Sequence, residues 1–270
     1  MSVADVTGGK TAEGWAGRSG LSVAEQLLAG QACFDAQDFD GALAIWLPLA
    51  QAGVARAQNN VGMMLISGFG VEPDPDVGGK WLKLSAHAGD AVAQRNFAEA
   101  YLKGVGAPQS DLDAELWYRR AAEQGDAEAQ DMLSWILTST DGRTPDYREA
   151  LRWARAAADQ GIPAAMTRIG LFHHNALGME RNSAEAVRWW RKAAGLGDAD
   201  GQAMLGAAYA IGQGLPRDPV KAFVWLQRAR WGQSKLAEKF IYSVQASLAP
   251  HQVVAAQHLA ALPCDVDLDA

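Results

Sequence analysis

The chain has 270 residues, a formal net charge of −7 and a sequence pI near 5.2. That acidic balance argues against a nucleic-acid surface, which is usually basic, and no apolar run of about 18 residues offers a transmembrane span. Its two cysteines, Cys33 and Cys264, stand near opposite ends, which is neither a disulfide framework nor metal-ligand spacing; no cofactor is expected.

Residues 1–20 are rich in glycine and small polar residues and are expected to be disordered. They lack a basic start followed by an apolar run, so they do not read as a secretory signal. The expected compartment is the cytoplasm, or the periplasm if a signal lies upstream. Trp15 reads either as a docking anchor or as a side chain packed loosely on the first helix. Order is expected from Leu21, with Ser22 and Glu25 in a capping-box pattern. A leading helix pair is expected over 21–53, its second helix starting near Asp38 or Asp40 and ending at Gly53.

From there one unit recurs. Tryptophans fall at Trp46, Trp81, Trp117, Trp153, Trp189 and Trp225, at intervals of 35, 36, 36, 36 and 36. A glycine follows seven or eight residues later each time, at Gly53, Gly89, Gly125, Gly161, Gly197 and Gly232. Self-similarity at such a period is the sign of a repeat array, and five units are expected over 54–232. In each unit a first helix, A, opens with A-x-A-Q, as in Ala91-Ala93-Gln94, and carries a small residue four positions after the Gln (or Met): Gly62, Ala98, Ser134, Gly170 and Gly206. Glycine inside a helix costs about 1 kcal/mol against alanine, so its recurrence predicts a tight helix crossing. A G-x-G turn then leads to a second helix, B, with expected N-caps Asp74, Asp111, Asp146, Asn182 and Asp218. The six tryptophans are assigned a structural role, filling the wedge left by the small residues. Residues 233–262 are expected to form capping helices, and 263–270 a frayed acidic tail.

The joint presence of A-x-A-Q, G-x-G and Trp in register resembles the Sel-one-like repeat (SLR) family, relatives of tetratricopeptide repeats. The resemblance covers roughly residues 54–232. It implies an all-α, right-handed α-solenoid, a superhelix of antiparallel helix pairs with helices A lining a concave face, and an interaction scaffold as the function. Two units depart from the family pattern at their turns, LTSTDGRTPD and HHNALGMERN; the first keeps only Gly142 of the glycine pair, and Ala176 stands in the second where glycine is expected.

Chemistry is sparse. His173 and His174 are adjacent, and neighbours in a helix point about 100° apart, so they cannot grip one metal as an i, i+4 pair would. No G-x-S-x-G, Walker or dinucleotide motif appears. Two partner-binding surfaces stay open. One is concave, with Asn60, Asn96 and Arg168 as polar anchors beside apolar Met64, Ile136 and Phe172, unless that apolar set belongs to packing between units. The other is a basic ladder two residues after each Trp, Lys83, Arg119, Arg155 and Arg191, unless acids on the same face balance it. The expectation is a non-enzymatic adaptor that binds a protein or peptide in bacterial regulation or complex assembly. The alternatives are an envelope-associated regulator and a hydrolase, since cysteine-rich members of the family have been described as β-lactamases. Those carry paired cysteines in each unit, which this chain lacks.

Overall fold

The structure, a computed structural model, describes residues 20–138 and 144–263. Trp15, Gly142, Cys264 and the expected disordered start and acidic tail lie outside the described residues. Among the described residues the chain forms fourteen helices and no strand. They are α1 (Val23–Asp35), α2 (Phe39–Gln51), α3 (Ala55–Ser67), α4 (Pro75–His87), α5 (Ala91–Lys103), α6 (Asp111–Glu123), α7 (Ala127–Ile136), α8 (Tyr147–Asp159), α9 (Pro163–Asn175), α10 (Ser183–Gly195), α11 (Ala199–Ile211), α12 (Pro219–Trp231), α13 (Lys235–Ala246) and α14 (Pro250–Ala260). Odd-numbered helices up to α11 are A helices and even-numbered ones up to α12 are B helices. Consecutive helices pack as pairs, the architecture of the α-solenoid class. The chain divides into two compact units, Met1–Ala129 and Gln130–Ala270.

From α2 to α13 the helix starts hold a strict phase of 36 residues. B helices are capped by Asp38, Asp74, Ser110, Asp146, Asn182 and Asp218, each side chain accepting the backbone N–H three residues on. Such caps satisfy donors that the helix itself leaves unpaired. Ser110, not Asp111, therefore caps α6; Asp111 is the first helical residue, where its charge faces the positive end of the helix dipole. Ser22 forms the expected capping box with Glu25.

The same phase corrects two rungs of the sequence pattern. Trp46 is in register with Leu82, Tyr118, Ala154, Trp190 and Leu226, one position after the other tryptophans, which accounts for the single interval of 35. Ile45 is the true counterpart of Trp81. At the far end, Gly53, Gly89, Gly125, Gly161 and Gly197 leave their B helices with φ between 87° and 93°. In α12 that left-handed position falls on Gln233 (φ 63°), and Gly232 stays at φ −75°.

The register shift also separates two jobs that the sequence merges. The residue facing the small position of helix A is the one in phase with Trp46. A Cβ on Gly30 would lie 2.2 Å from Trp46 Nε1, and one on Gly170 2.2 Å from Trp190 Nε1. Both indoles donate to a carbonyl three residues before that glycine, Trp46 to Leu27 (3.4 Å) and Trp190 to Thr167 (3.3 Å). The tryptophans of the 36-residue ladder pack elsewhere. Trp81 lies against the core of the leading pair around Trp46, and Trp189 against the core that includes Ala150 and Ala154; both are half-buried. Trp117 meets the edges of His87 at 5.0 Å and Phe97 at 5.4 Å, and Trp117, Trp153 and Trp225 are buried. A cation three residues on covers three of these rings, Arg120 over Trp117, Lys192 over Trp189 and Arg228 over Trp225. Where that position is Ala156, Arg152 covers Trp153 instead.

The turn containing Ala176 keeps the G-x-G geometry. Ala176 takes the left-handed position (φ 58°) and Gly178 follows at φ 68°. Helix α13 starts in phase as the A helix of a seventh pair, with Ser234 as N-cap and Ala237, Ile241 and Val244 buried. Helix α14 packs on α12, where the Arg228 guanidinium donates to the carbonyls of Leu259, Ala260, Leu262 and Pro263.

Candidate functional site

The apolar half of the expected concave set is not a surface. Met64 is 1% exposed, Ile136 4% and Phe172 1%. Met64 shares a core with Ala42, Ile45 and Trp46 of the preceding pair, and the Phe172 ring meets Tyr147 of the preceding pair at 6.4 Å, so these side chains serve packing between units. As partner-binding residues they are corrected to core.

The polar half links neighbouring A helices. In the first unit Asn96 Nδ2 donates to Asn59 Oδ1 at 2.8 Å, and Asn59 Nδ2 donates to Asn60 Oδ1 at 3.0 Å. In the second, Arg168 donates to Asp131 Oδ1 at 3.0 Å. Both inter-helix links span 37 residues and occupy equivalent positions two repeats apart. Two other residues in phase with Asp131 reach the N-cap carboxylate of the next A helix: Arg95 holds Asp126 and Glu128, and Thr167 Oγ1 donates to Asp198 at 2.6 Å. The cap that follows Asp131 is Ile162, whose side chain makes no capping bond. Asp131 binds Arg168 instead, and the Arg168 Nε is buried with no hydrogen-bond partner.

Sequence reasoning missed the glutamine of A-x-A-Q. Gln58, Gln94 and Gln202 donate to Ala50, Ala86 and Ala194 carbonyls eight residues back, at 3.1, 3.2 and 3.3 Å, so each ties its helix to the last turn of the preceding B helix. Gln124 and Gln160 add a second bond, to the Oε1 of Gln94 and Gln130. In the next copy both members change together, to Met166 and Leu196. The recurring Gln was a visible signal; only its acceptor was not.

The basic ladder is unevenly engaged. In the first unit Lys83 is exposed and Arg119 pairs with Glu115 at 3.1 Å. In the second, Arg155 is exposed and Arg191 donates to Tyr209 Oη at 3.3 Å. Arg152 and Arg188 pair with Glu149 and Glu185 on their own helices. Exposed pairs of this kind contribute about 0–1 kcal/mol.

His173 and His174 both have pKa values lowered by burial. Glu185 partly opposes this at His173, and Arg181 reinforces it at His174. The His174 ring lies 5.4 Å from Trp190. Among the described residues no three His, Cys, Asp or Glu side chains converge in a way that could hold a metal ion.

Among the A helices of the second unit, Trp135 is 46% exposed and Met132 half-buried, whereas Leu171, Met204 and Phe240 are half-buried against the core of that unit. In the first unit the same phases carry Asn60, Met63, Asn96 and Glu99. Charge is uneven as well: residues 1–129 hold 9 Lys and Arg against 17 Asp and Glu, and residues 130–270 hold 15 against 14.

Comparison with known proteins places the repeats in a family. The Sel1 repeat family model matches residues 55–90, 91–126, 127–162, 163–198 and 199–230. A Sel1 repeat protein from Oxalobacter formigenes is similar in structure, with a TM-score of 0.75 and 30% identity over 87% of this chain and 98% of that one. So is a protective antigen present in uropathogenic Escherichia coli strains that displays an SLR fold, with a TM-score of 0.82 and 28% identity over 88% of this chain. This chain spans about half the length of that antigen, 52%. A comparison with curated proteins returned no match. With five consecutive matched repeats and two solved structures of the same type, the chain belongs to the Sel1 repeat family.

Proposed function

We propose that this chain is an interaction scaffold that binds a protein or peptide on the exposed faces of its A helices, in bacterial regulation or complex assembly. Sel1 repeat proteins are generally protein–protein interaction scaffolds, which supports the reading, and both similar structures come from bacteria. The observation that carries it is the contrast between two kinds of polar and apolar groups. The asparagines, glutamines and carboxylates at repeat junctions are used in holding helices together. Large apolar side chains such as Trp135 are left facing outward. An exposed tryptophan is the residue type most enriched at the energetic centres of interfaces.

Quantitative affinity capture from the source cells tests this, with the intact chain as bait and a Trp135→Ser/Leu171→Ser variant, checked for folding, as comparison. The proposal expects a protein retained in near-stoichiometric amount by the parent chain. Retention of nothing above an unrelated bait of equal charge contradicts it.

A further inference from the structure

We infer that the repeat built from α7 and α8 is a weak joint in the array, one that opens locally while the helix pairs before and after it stay folded.

Three observations carry it. The first is the helix crossing. In the neighbouring repeats the small residue of helix A stands in phase with a large residue of helix B: Leu82, Tyr118, Trp190 or Leu226. In α7 and α8 the two positions are Ser134 and Ala154, both fully buried. A crossing with no large side chain on either helix buries less apolar surface, and that burial is the main attraction within a pair. Ser134 Oγ is in addition buried with no hydrogen-bond partner, and an unpaired buried hydroxyl is costly.

The second is helix length. Helix α7 has 10 residues, whereas α5, α6, α8 and α9 have 13 each. At its end the hydroxyl and the backbone N–H of Thr138 both donate to the Trp135 carbonyl, at 2.7 and 3.0 Å. Such a local bond competes with a further turn of helix, and a shorter A helix has fewer residues to pack.

The third is the polar bonding at the next helix start. The starts of α5 and α11 are secured twice, by the aspartate caps Asp90 and Asp198 and by Gln94 and Gln202, which bond to the preceding B helix. The start of α9, which follows α8, has neither device. Ile162 makes no side-chain capping bond, and Met166 stands at the glutamine position. Arg168 does reach from α9 to Asp131 on α7, but its Nε is buried without a partner, which offsets part of the gain.

In a linear repeat array each unit packs on its neighbours alone, so an end unit has one interface to break and an interior unit has two. Opening therefore ordinarily runs in from the ends. Helices α7 and α8 form the fourth of seven pairs among the described residues, where fraying from the ends would give the slowest exchange. A weak joint at that place reverses the order.

Hydrogen exchange of the intact native chain, read helix by helix by mass spectrometry, tests this. The amides of α7 and α8 are expected to exchange at least about ten-fold faster than those of α5, α6, α9 and α10, as a separate opening unit does. Ser134→Ala removes the unpaired hydroxyl without adding bulk, and it is expected to slow exchange about five-fold in α7 and α8 together. Exchange in α7 and α8 as slow as in the flanking pairs overturns the inference. So does a Ser134→Ala protein in which exchange is unchanged, is faster, or is slowed in α7 alone, because a fault at the crossing must register on both helices.

Discussion

The indole of Trp190 lies directly on Gly170: a Cβ at that glycine would stand 2.2 Å from Nε1, while the same nitrogen donates to Thr167 O at 3.3 Å. The pair shows how a repeat is closed where helix A carries glycine: a large residue of helix B enters the space, Leu82 at Gly62, Trp190 at Gly170 and Leu226 at Gly206, and Trp189 of the ladder packs against the core that includes Ala150 and Ala154.

Gly170→Ala is therefore expected to destabilise the protein although alanine is the better helix former by about 1 kcal/mol. The indole must move and lose its carbonyl, and overpacking of this kind costs about 1–3 kcal/mol. The double variant Gly170→Ala/Trp190→Tyr reproduces the natural Ala98 and Tyr118 combination and is expected to recover most of the loss. Urea denaturation midpoints of the three proteins decide the matter; a double variant no better than the single one would show that the two residues are not coupled.

Trp117→Ala removes a buried ring that touches His87 and Phe97 and lies under Arg120. The expected loss is about 3–5 kcal/mol. Trp81→Ala, at a half-buried ring, is expected to cost less. Equal losses, measured by urea denaturation, would mean that burial does not set the contribution of the ladder.

Arg228 holds the end of α14 and the residues just after it through the carbonyls of Leu259, Ala260, Leu262 and Pro263. Arg228→Met keeps the apolar stem over Trp225 and removes those donors, so it is expected to loosen α14 by about 2–3 kcal/mol. Hydrogen exchange then shows lost protection over 250–260 with protection of α3 and α4 unchanged. Unaltered exchange in α14 would assign its attachment to the apolar contacts of Ala256 and Ala260 alone.

The lowered pKa values of His173 and His174 give a signed pH dependence. Their folded-state values lie below the ordinary 6.5, so as pH falls through that value the unfolded chain takes up protons that the folded chain resists. Their contribution is complete above the unfolded-state pKa and is lost as pH falls. His173→Tyr, the residue found in phase at Tyr101 and Tyr209, is expected to flatten the fall in stability between pH 7.5 and pH 5.5, read from urea midpoints. A steeper fall in the variant would reverse the assigned sign.

The repeat, its period and the helix-pair architecture were legible because they depend on local rules: N-caps at one phase, glycine at helix exits, small residues at one helix position. The errors came where two neighbouring positions share a residue type. Trp46 resembles the ladder in identity but belongs to the next register, and Asp111 resembles a cap but follows one. In each case a single-residue offset was visible in the spacing, and the turn of the helix gave it meaning. The site was less legible. Met64, Ile136 and Phe172 were placed by helical period on an open face, yet they are buried, Met64 in the core of the preceding pair and Phe172 against Tyr147 of the preceding pair, a contact between units that helical period does not reveal. Asn96 and Arg168 were read as ligand anchors because the sequence does not reveal Asn59 and Asp131 as their partners. Trp135, the most exposed aromatic residue of that face, was passed over because it stands outside the ladder.

The most direct test of the scaffold account is photo-crosslinking in living cells from a reactive amino acid at position 135, with position 83 on the B-helix surface as control. The account predicts one predominant protein adduct from position 135 that is absent from position 83. The same adducts from both positions, or an adduct from position 83 alone, would contradict it.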